Sequence, residues 1–192
     1  MTEIKYRGRL TKEQLEQVLK FLTKKGKLMR ANFEKVVYFD TSIFPQIGDF
    51  ITGFSRISVK STAVRTVLRI KHGNPSDSQR SEIAVAIRKQ DCANLIFILN
   101  QLGLKYGYYR PAYRQDFSIQ KFIISIKTKC VMGSHFEIEL KKGASLKDPV
   151  ILFLLSTYNL KFWSREQYQE RIHEKMKKVP AINVYESKLW TS

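Results

Sequence analysis

Cysteine is scarce in this chain: Cys92 and Cys130 are the only two among 192 residues. Two thiols cannot build a disulfide scaffold, and they leave too few ligands for a cysteine-rich zinc site. The first ten residues, MTEIKYRGRL, carry charges where a signal peptide needs an apolar stretch. We therefore predict an intracellular, cytoplasmic protein.

Long apolar runs and common catalytic signatures are missing as well. The longest apolar run, Val150 to Leu155, is far shorter than the ~20 residues of a membrane span, so we predict no membrane partner. The glycine-rich phosphate loop, the serine nucleophile elbow and the zinc-peptidase motif do not occur. The three histidines are scattered along the chain. Any active site must be built mainly from Glu, Asp, Lys and Arg.

Acidic residues are few relative to basic ones. The chain has 34 Lys and Arg against 17 Asp and Glu, a formal net charge of +17. Hydrophobic residues at 43% and aromatic residues at 12% exclude a disordered basic tail. A folded protein this basic predicts an anionic partner, which charge alone leaves open between nucleic acid, polyphosphate, nucleotide and an acidic membrane surface.

Four segments carry helical signals, namely cap residues, apolar residues at helical spacing or stop residues: 11–26, 91–103, 149–160 and 164–180. The clearest is Thr11-Lys12-Glu13-Gln14, a capping box that precedes leucines at helical spacing and is followed by a stop at Gly26. Residues 181–192 form a tail to which the pattern assigns no structure.

Elsewhere apolar residues alternate with charged ones. Ile83, Val85 and Ile87, for example, are separated by single residues and flanked by charge. Period two with one apolar face is typical of a half-buried antiparallel sheet. We count about eight such strands, at 3–7, 33–40, 56–60, 68–71, 80–88, 113–118, 122–128 and 135–141.

The polar face of these strands is charged in nearly every case, and the helices each offer an apolar face. One interpretation is an ordinary sheet whose charged face lies in water. The other is a sheet that closes with its charged side chains inward and helices covering the outside. A lumen lined by both signs, with cations in excess, would suit a multiply charged anion and its metal ion.

Seven elements along residues 1–141 occur in an order that resembles a known family: Glu3–Arg7, Val37–Thr41, Arg56, Lys71, Glu82, Arg114 and Gly133–Glu139. They are similar to the ExExK, YFDT, RxR, strand-ending Lys, ExE, RxxY and G-x-F-x-E-x-E elements of CYTH domains. These are the triphosphate tunnel enzymes, which include class IV adenylate cyclases, thiamine triphosphatases and inorganic triphosphatases.

The resemblance implies an α+β fold, an eight-stranded antiparallel closed β-barrel with a charged lumen and helices packed outside. It divides the chain into a barrel with two helices at 1–145, C-terminal helices packed on the barrel at 146–180, and the tail at 181–192.

The resemblance also implies roles for individual residues. The metal ligands would be Glu3, Glu82, Glu137 and Glu139, because Mg²⁺ or Mn²⁺ is a hard cation that prefers carboxylate oxygen. One metal ion is expected rather than two. The phosphate-binding residues would be Lys5, Arg56, Lys71, Arg114 and Lys127, because cationic side chains form charge-assisted hydrogen bonds to phosphate oxygens. Lys5 would also be the catalytic, water-activating lysine.

Departures from the family pattern fall mainly on its acids. The first Glu of the opening motif falls at Met1, the second Glu of the central pair at Ala84, and a strand Asp at Lys127. The second Arg of RxR is Ser58, and the Lys before the RxxY Arg is Ala112. Lys127 places a positive charge where a metal ion should bind.

Two functions therefore stay open. The first is metal-dependent hydrolysis of a triphosphate-containing substrate, which could be inorganic triphosphate, a nucleotide, thiamine triphosphate or an RNA 5′ end. The second is a catalytically impaired CYTH-like module that binds polyphosphate, nucleotide or RNA through a basic tunnel and surface. The partner would be a triphosphate-containing small molecule, with RNA possible, and the sequence gives no oligomeric state.

Overall fold

A computed structural model describes residues 5–39, 56–63, 65–72, 81–141, 143–187 and 189–190. This part of the chain is a mixed α+β fold with a large antiparallel sheet and four α-helices. The strands are β1 (Lys5–Arg9), β2 (Lys27–Phe39), β3 (Arg56–Ser61), β4 (Thr66–His72), β5 (Ser81–Ile87), β6 (Tyr106–Tyr109), β7 (Ala112–Ile119), β8 (Phe122–Thr128), β9 (His135–Leu140) and β10 (Ala181–Asn183). The helices are α1 (Lys12–Lys25), α2 (Cys92–Gln101), α3 (Pro149–Thr157) and α4 (Arg165–Met176).

All four predicted helices are confirmed, although α3 ends at Thr157 and α4 at Met176, before the predicted ends at 160 and 180. The Thr11 side chain caps α1 and the Gln14 side chain returns to the Thr11 backbone, which completes the capping box. Ser164 and Gln167 form the same reciprocal pair at the start of α4. Local hydrogen bonds of this kind are fixed by residues three apart, so sequence alone can indicate them. None of the helices described here is long and apolar enough to cross a bilayer.

Eight of the strands are neighbours in the order β1-β9-β8-β7-β2-β3-β4-β5, and every recorded pairing is antiparallel. The closed barrel that we predicted is not confirmed, because within the described residues the end strands β1 and β5 do not pair and the sheet stays open. Side-chain alternation shows which face of a strand is apolar, but it contains no information on which edges meet.

The outer face of the sheet is apolar and covered by helices. Phe117, Ile124 and Phe136, on three adjacent strands, are almost completely buried in a cluster with residues of α1 and α3. β1 passes close beneath this cluster, where a Cβ on Gly8 would lie 2.1 Å from the Lys161 carbonyl oxygen. Only glycine fits at this position without a shift of the backbone.

A second cluster lies on the outer side of β2 and β3. Val37 and Val59 pack there against Ile96 and Leu99 of α2 and against Val184. The sequence assigned no structure to the segment that contains Val184, yet it forms β10, which pairs with β6 and brings Val184 to 1% exposure. The division of the chain into 1–145, 146–180 and 181–192 stays a prediction.

Candidate anion-binding site

The inner face of the sheet encloses a cavity of about 140 Å³. Its described lining includes eight cationic side chains: Lys5, Arg7, Lys60, Arg69, Lys71, Arg110, Arg114 and Lys127. Two carboxylates, Glu34 and Glu137, share that lining. Ligand pockets for drug-sized molecules usually measure about 300–1,000 Å³. This cavity is therefore suited to a compact anion.

Glu137 is the centre of one wall of the cavity. Its Oε1 lies 2.9 Å from the Arg7 Nε, and its Oε2 lies 2.9 Å from the Lys127 Nζ. The sheet register causes this arrangement, because Arg7 on β1 and Ser125 on β8 directly face Glu137 on β9. Burial would raise the pKa of Glu137, but the charges of Lys127 and Arg7 outweigh burial and hold it well below the usual range. Glu137 is therefore ionised, and each of its two carboxylate oxygens is paired with a cation.

Further ion pairs extend along the same wall. The Lys5 Nζ lies 3.4 Å from the Glu139 Oε2. Arg114 donates from Nε to the Asp116 Oδ1 at 2.6 Å and from its NH2 group to the Ser125 hydroxyl at 3.0 Å. Burial would lower the pKa of Arg114, but Glu137 and Asp116 raise it. Arg114 therefore holds a fixed positive charge inside the cavity.

The opposite wall carries a smaller cluster on β4 and β5. Lys71 directly faces Glu82 and forms an ion pair with it, while the Arg69 Nε lies 3.3 Å from the other oxygen of the same carboxylate. Arg69 itself faces Ala84 across the strands. Because Ala84 offers no acceptor, two cations share the single charge of Glu82.

Glu34 and Lys60 form a buried pair between the two walls. Their exposed fractions are 4% and 5%, and the Lys60 ammonium donates a hydrogen bond to the Glu34 carboxylate. Burial lowers the pKa of Lys60 to about 7, although Glu34 opposes the shift. Burial would raise the pKa of Glu34, but the charges of Lys60 and Arg114 lower it. Lys60 is thus a cation whose charge is easily lost near neutral pH.

Aromatic rings of the C-terminal part pack against Arg7, which lines the cavity. The Arg7 guanidinium lies 5.0 Å from the centre of the Tyr168 ring, and Tyr168 stacks on Trp163 at 5.7 Å. Arg171 lies over Trp163 at 5.4 Å. The Tyr168 ring therefore packs between Arg7 and Trp163, in an arrangement that contributes cation–π stabilisation.

His135 and Cys130 also line the cavity. The His135 Nδ1 lies 2.8 Å from the Gly133 carbonyl oxygen and 3.6 Å from the Cys130 Sγ. Burial and the charge of Lys127 lower the pKa of His135 to about 4, so its ring is neutral at pH 7. Burial raises the pKa of the Cys130 thiol. The pair therefore adds no permanent charge to the site.

The structure brings together four of the five side chains that the sequence predicted as phosphate-binding. These residues, which all line the one cavity, are Lys5, Lys71, Arg114 and Lys127. The fifth, Arg56, faces Lys71 in the strand register, but its side chain lies outside the described part. Their phosphate-binding roles, and the catalytic role of Lys5, stay predictions.

The predicted metal ligands do not come together as a set. Glu3 lies outside the described residues. Glu137 and Glu139 share one face of β9, whereas Glu82 lies on β5 at the far end of the strand order. Among the side chains that the structure describes, no three His, Cys, Asp or Glu residues are placed to hold a metal ion. The carboxylates of Glu82, Glu137 and Glu139 are each engaged by cations instead. The donor set described here does not fit Mg²⁺ or Mn²⁺.

Sequence reasoning missed or undervalued several residues of the site. Glu34, Lys60 and Arg69 belong to none of the sequence motifs, and Arg7 only closes the opening one. Glu34 alternates with Val36 and Tyr38 along β2, and all three line the cavity. That alternation was the available signal, but it does not show which face of the strand points inward.

Comparison with solved structures shows the same fold in proteins of diverse description. The chain aligns with the PH1012 protein of Pyrococcus horikoshii at a TM-score of 0.62 and 15% identity, covering 86% of this chain and 98% of that one. The Hippeastrum protein HpAC1 is described as an adenylyl cyclase candidate with a dominant triphosphatase activity. It aligns at a TM-score of 0.56 and 14% identity, with 84% and 89% of the two chains covered.

A chain of the Mediator head module of Schizosaccharomyces pombe aligns at a TM-score of 0.53 and 9% identity, covering 96% of this chain and 99% of that one. No family model and no curated protein matches the sequence. At these identities the likeness establishes a fold shared with these proteins and leaves the activity to be argued from the site.

Proposed function

We propose that this protein binds a triphosphate-containing small molecule in the inner cavity through Lys5, Lys71, Arg114 and Lys127, without requiring a metal ion. The observation that carries the proposal is the charge of the cavity. Eight cations line it, and the carboxylates that pair with them are five, namely Glu34, Glu82, Asp116, Glu137 and Glu139, so positive charge is in excess. The excess positive charge is therefore available to an anion.

A compact polyphosphate matches this cavity in both size and charge. Like charges held close together repel one another, and the repulsion is strong where water is partly excluded. An anion with several negative charges offsets that repulsion and accepts charge-assisted hydrogen bonds from Lys and Arg. Lys127 contributes where the related motif has an acid, so the protein itself supplies positive charge that a metal ion would otherwise bring.

Metal-dependent hydrolysis is the second candidate. Glu137 and Glu139 lie on one face of β9, and the fold is shared with HpAC1, which is described as having triphosphatase activity. This candidate requires Glu137 and Glu139 to release Arg7, Lys127 and Lys5, with which they are paired in the structure. The two candidates make opposite predictions for a variant that lacks the Glu137 charge.

The deciding experiment is calorimetric titration with inorganic triphosphate, in EDTA and again with Mn²⁺. The wild type should bind in EDTA. Lys127→Gln should weaken binding by about tenfold or more, because a hydrogen bond to a charged group contributes roughly 1.5–3 kcal/mol. Glu137→Gln should bind as tightly as the wild type or more tightly, because it removes a negative charge that competes for Arg7 and Lys127. Lys20→Gln, on the exposed side of α1, is the matched control and should bind like the wild type.

Phosphate release is measured on the same samples, with ATP, thiamine triphosphate and a short 5′-triphosphorylated RNA as further ligands. If binding requires Mn²⁺, and Glu137→Gln abolishes both binding and phosphate release, hydrolysis is supported and metal-independent binding is wrong. If folded wild type binds none of these ligands in either buffer, both candidates fail. Thermal unfolding of each variant verifies that the folded state is retained.

A further inference from the structure

β5 is an edge strand of the described sheet. Among the residues that the structure describes it pairs with β4 alone, from Ser81 facing His72 to Ile87 facing Thr66, without a register shift. The strand contains no proline and no lysine, and its one charged residue is Glu82. Proline, lysine and bulges are the usual features that keep an edge strand from pairing with another chain. β5 has none of these features between Ser81 and Ile87.

The opposite edge strand, β1, differs in both respects. Its sequence is KYRGR, which contains three cations in five residues. The Trp163 amide donates a hydrogen bond to the Arg7 carbonyl oxygen at 2.8 Å, and the Lys161 carbonyl oxygen lies close to Gly8. The segment before α4 therefore covers part of the free edge of β1.

The outward side chains of β5 are apolar and exposed. Ile83 is 58% exposed and Val85 is 50% exposed. They face Ile70 and Leu68 on β4, and Leu68 packs against the second apolar cluster. The apolar outer face of the sheet therefore continues onto β5, where it is open to solvent. Exposed β-branched side chains on an edge strand favour a further strand beside them.

The sequence of β5 is complementary to itself in one antiparallel register. A twofold axis through Val85 places Val85 opposite Val85 of a second copy, and Ile83 opposite Ile87 of that copy. Directly facing residues of an antiparallel pair point to the same side of the sheet. The apolar pairs therefore all lie on the outer face, where cross-strand pairs of β-branched residues stabilise a sheet.

The same register brings opposite charges together. Glu82 lies opposite Arg88 of the second copy, and by symmetry Arg88 lies opposite Glu82 of that copy. Cross-strand pairs of opposite charge are favourable, whereas like charges directly opposite each other are unfavourable. Moving the axis by one residue, to Ala84 or Ala86, removes both charge pairs. The charges therefore select the register that is centred on Val85.

Both charged groups can make this contact in addition to their present ones. The Arg88 side chain is 75% exposed and donates from Nε to Asp91 at 2.6 Å. A guanidinium has several further N–H donors. Glu82 pairs with Arg69 and Lys71, and a carboxylate accepts more than two hydrogen bonds.

We propose that two copies of this protein pair through β5, antiparallel and edge to edge, and form a twofold symmetric dimer whose sheet continues across the interface. The interface is isologous, because the same strand contributes both halves. A single pair of strands is a small interface, so we expect a dimer that dissociates on dilution. Dimerisation is separate from anion binding, since no described residue of β5 lines the inner cavity.

Val85→Lys tests the pairing by sedimentation velocity over a range of protein concentrations. The wild type should shift from monomer to dimer as its concentration rises. Val85→Lys should weaken dimerisation by about tenfold or more, because two lysines would then face each other at the axis. Ile98 on α2 is another exposed β-branched residue, at 53%. Ile98→Lys is therefore the matched control and should dimerise like the wild type.

Single cysteine variants test the register. Facing residues of an antiparallel pair have Cα atoms about 4.5–5.5 Å apart, within the range that a disulfide spans. Val85→Cys should therefore give a disulfide-linked dimer on mild oxidation with copper–phenanthroline, measured by non-reducing electrophoresis. In Ile83→Cys the two introduced thiols would lie about 13 Å apart along the strands and should not crosslink. The wild type gives the baseline for Cys92 and Cys130.

A wild type that stays monomeric at every concentration overturns the proposal. A dimer that persists unchanged in Val85→Lys overturns it as well, and so does an equal loss in Val85→Lys and Ile98→Lys. The register is wrong if Ile83→Cys crosslinks as readily as Val85→Cys. Thermal unfolding verifies that each variant is folded, and the conservative change Val85→Cys keeps the test decisive if Val85→Lys does not fold.

Discussion

On β9 the outward side chains Phe136 and Ile138 are 1% exposed, and the inward Glu137 between them is 5% exposed. Phe136 and Ile138 pack in an apolar cluster under helices, whereas Glu137 is enclosed by Arg7 and Lys127. The same strand therefore buries its two faces for different reasons. Apolar burial stabilises the fold directly, but burial of charges carries a desolvation cost that their mutual attraction only partly offsets. The outer face provides stability, and the inner face holds ion-paired side chains whose burial is costly.

Removal of an outer-face ring should have the largest effect on stability. Phe136→Ala should lower the free energy of unfolding by about 3–5 kcal/mol, because it deletes a fully buried ring from a packed core. Denaturant unfolding monitored by circular dichroism measures the loss.

Ile98, on α2, is 53% exposed. Ile98→Ala is therefore the control and should change the free energy of unfolding by about 0.5 kcal/mol or less. A loss below about 1 kcal/mol for Phe136→Ala would show that the outer face does not provide most of the stability.

The inner face should respond to pH through Lys60. Burial lowers the pKa of this lysine to about 7, and Glu34, Arg114 and Arg69 are the charged groups that act on it. A bound anion favours the protonated form, so the affinity for triphosphate should fall as the pH rises through about 7. Between pH 6 and 9 the affinity should fall about threefold or more relative to Lys60→Arg, which stays charged throughout.

The comparison with Lys60→Arg removes the ligand's own titration, which is common to both proteins. Calorimetry in buffers of different ionisation enthalpy should also detect proton uptake on binding by the wild type near pH 7. Parallel pH profiles for the two proteins would contradict a role for Lys60 protonation.

The smallest effect is expected at the contact between Arg7 of the inner face and Tyr168 of α4. Tyr168→Leu removes the half-buried ring that packs against Arg7 and should weaken triphosphate binding about two- to fivefold, since a cation–π contact contributes about 0.5–1 kcal/mol. Tyr168→Phe keeps the ring and should bind like the wild type. An equal loss in both variants would assign the effect to the hydroxyl group and not to the ring.

The sequence predicted the local elements well. Caps such as Thr11 and Gln14 are satisfied within a few residues, and the alternation of Phe136, Glu137 and Ile138 identifies both faces of β9. β6 and β10 were missed, because Tyr106–Tyr109 and Ala181–Asn183 are too short to show a period and form by pairing with each other and, for β6, with β2. β2 begins at Lys27 and not near Phe33, because its first residues pair with β7 along the longest of the described strands.

The sequence predicted a cationic site for phosphate but identified only some of the residues that line the cavity. Lys5, Lys71, Arg114 and Lys127 were identified through a family resemblance and share one cavity. Glu34 and its pairing with Lys60 could not be predicted, because residues on β2 and β3 become neighbours only when the strands pair.

The sequence by itself determined that the chain is a basic α+β protein whose strands have one charged and one apolar face, because charge and periodicity are local properties. Tertiary structure decided the partners of each charge. It placed Arg7 and Lys127 on Glu137, left the described sheet open between β1 and β5, and kept Glu82 apart from Glu137 and Glu139. Strand order and register set the distances between charges, and these distances are not encoded in any local stretch of sequence.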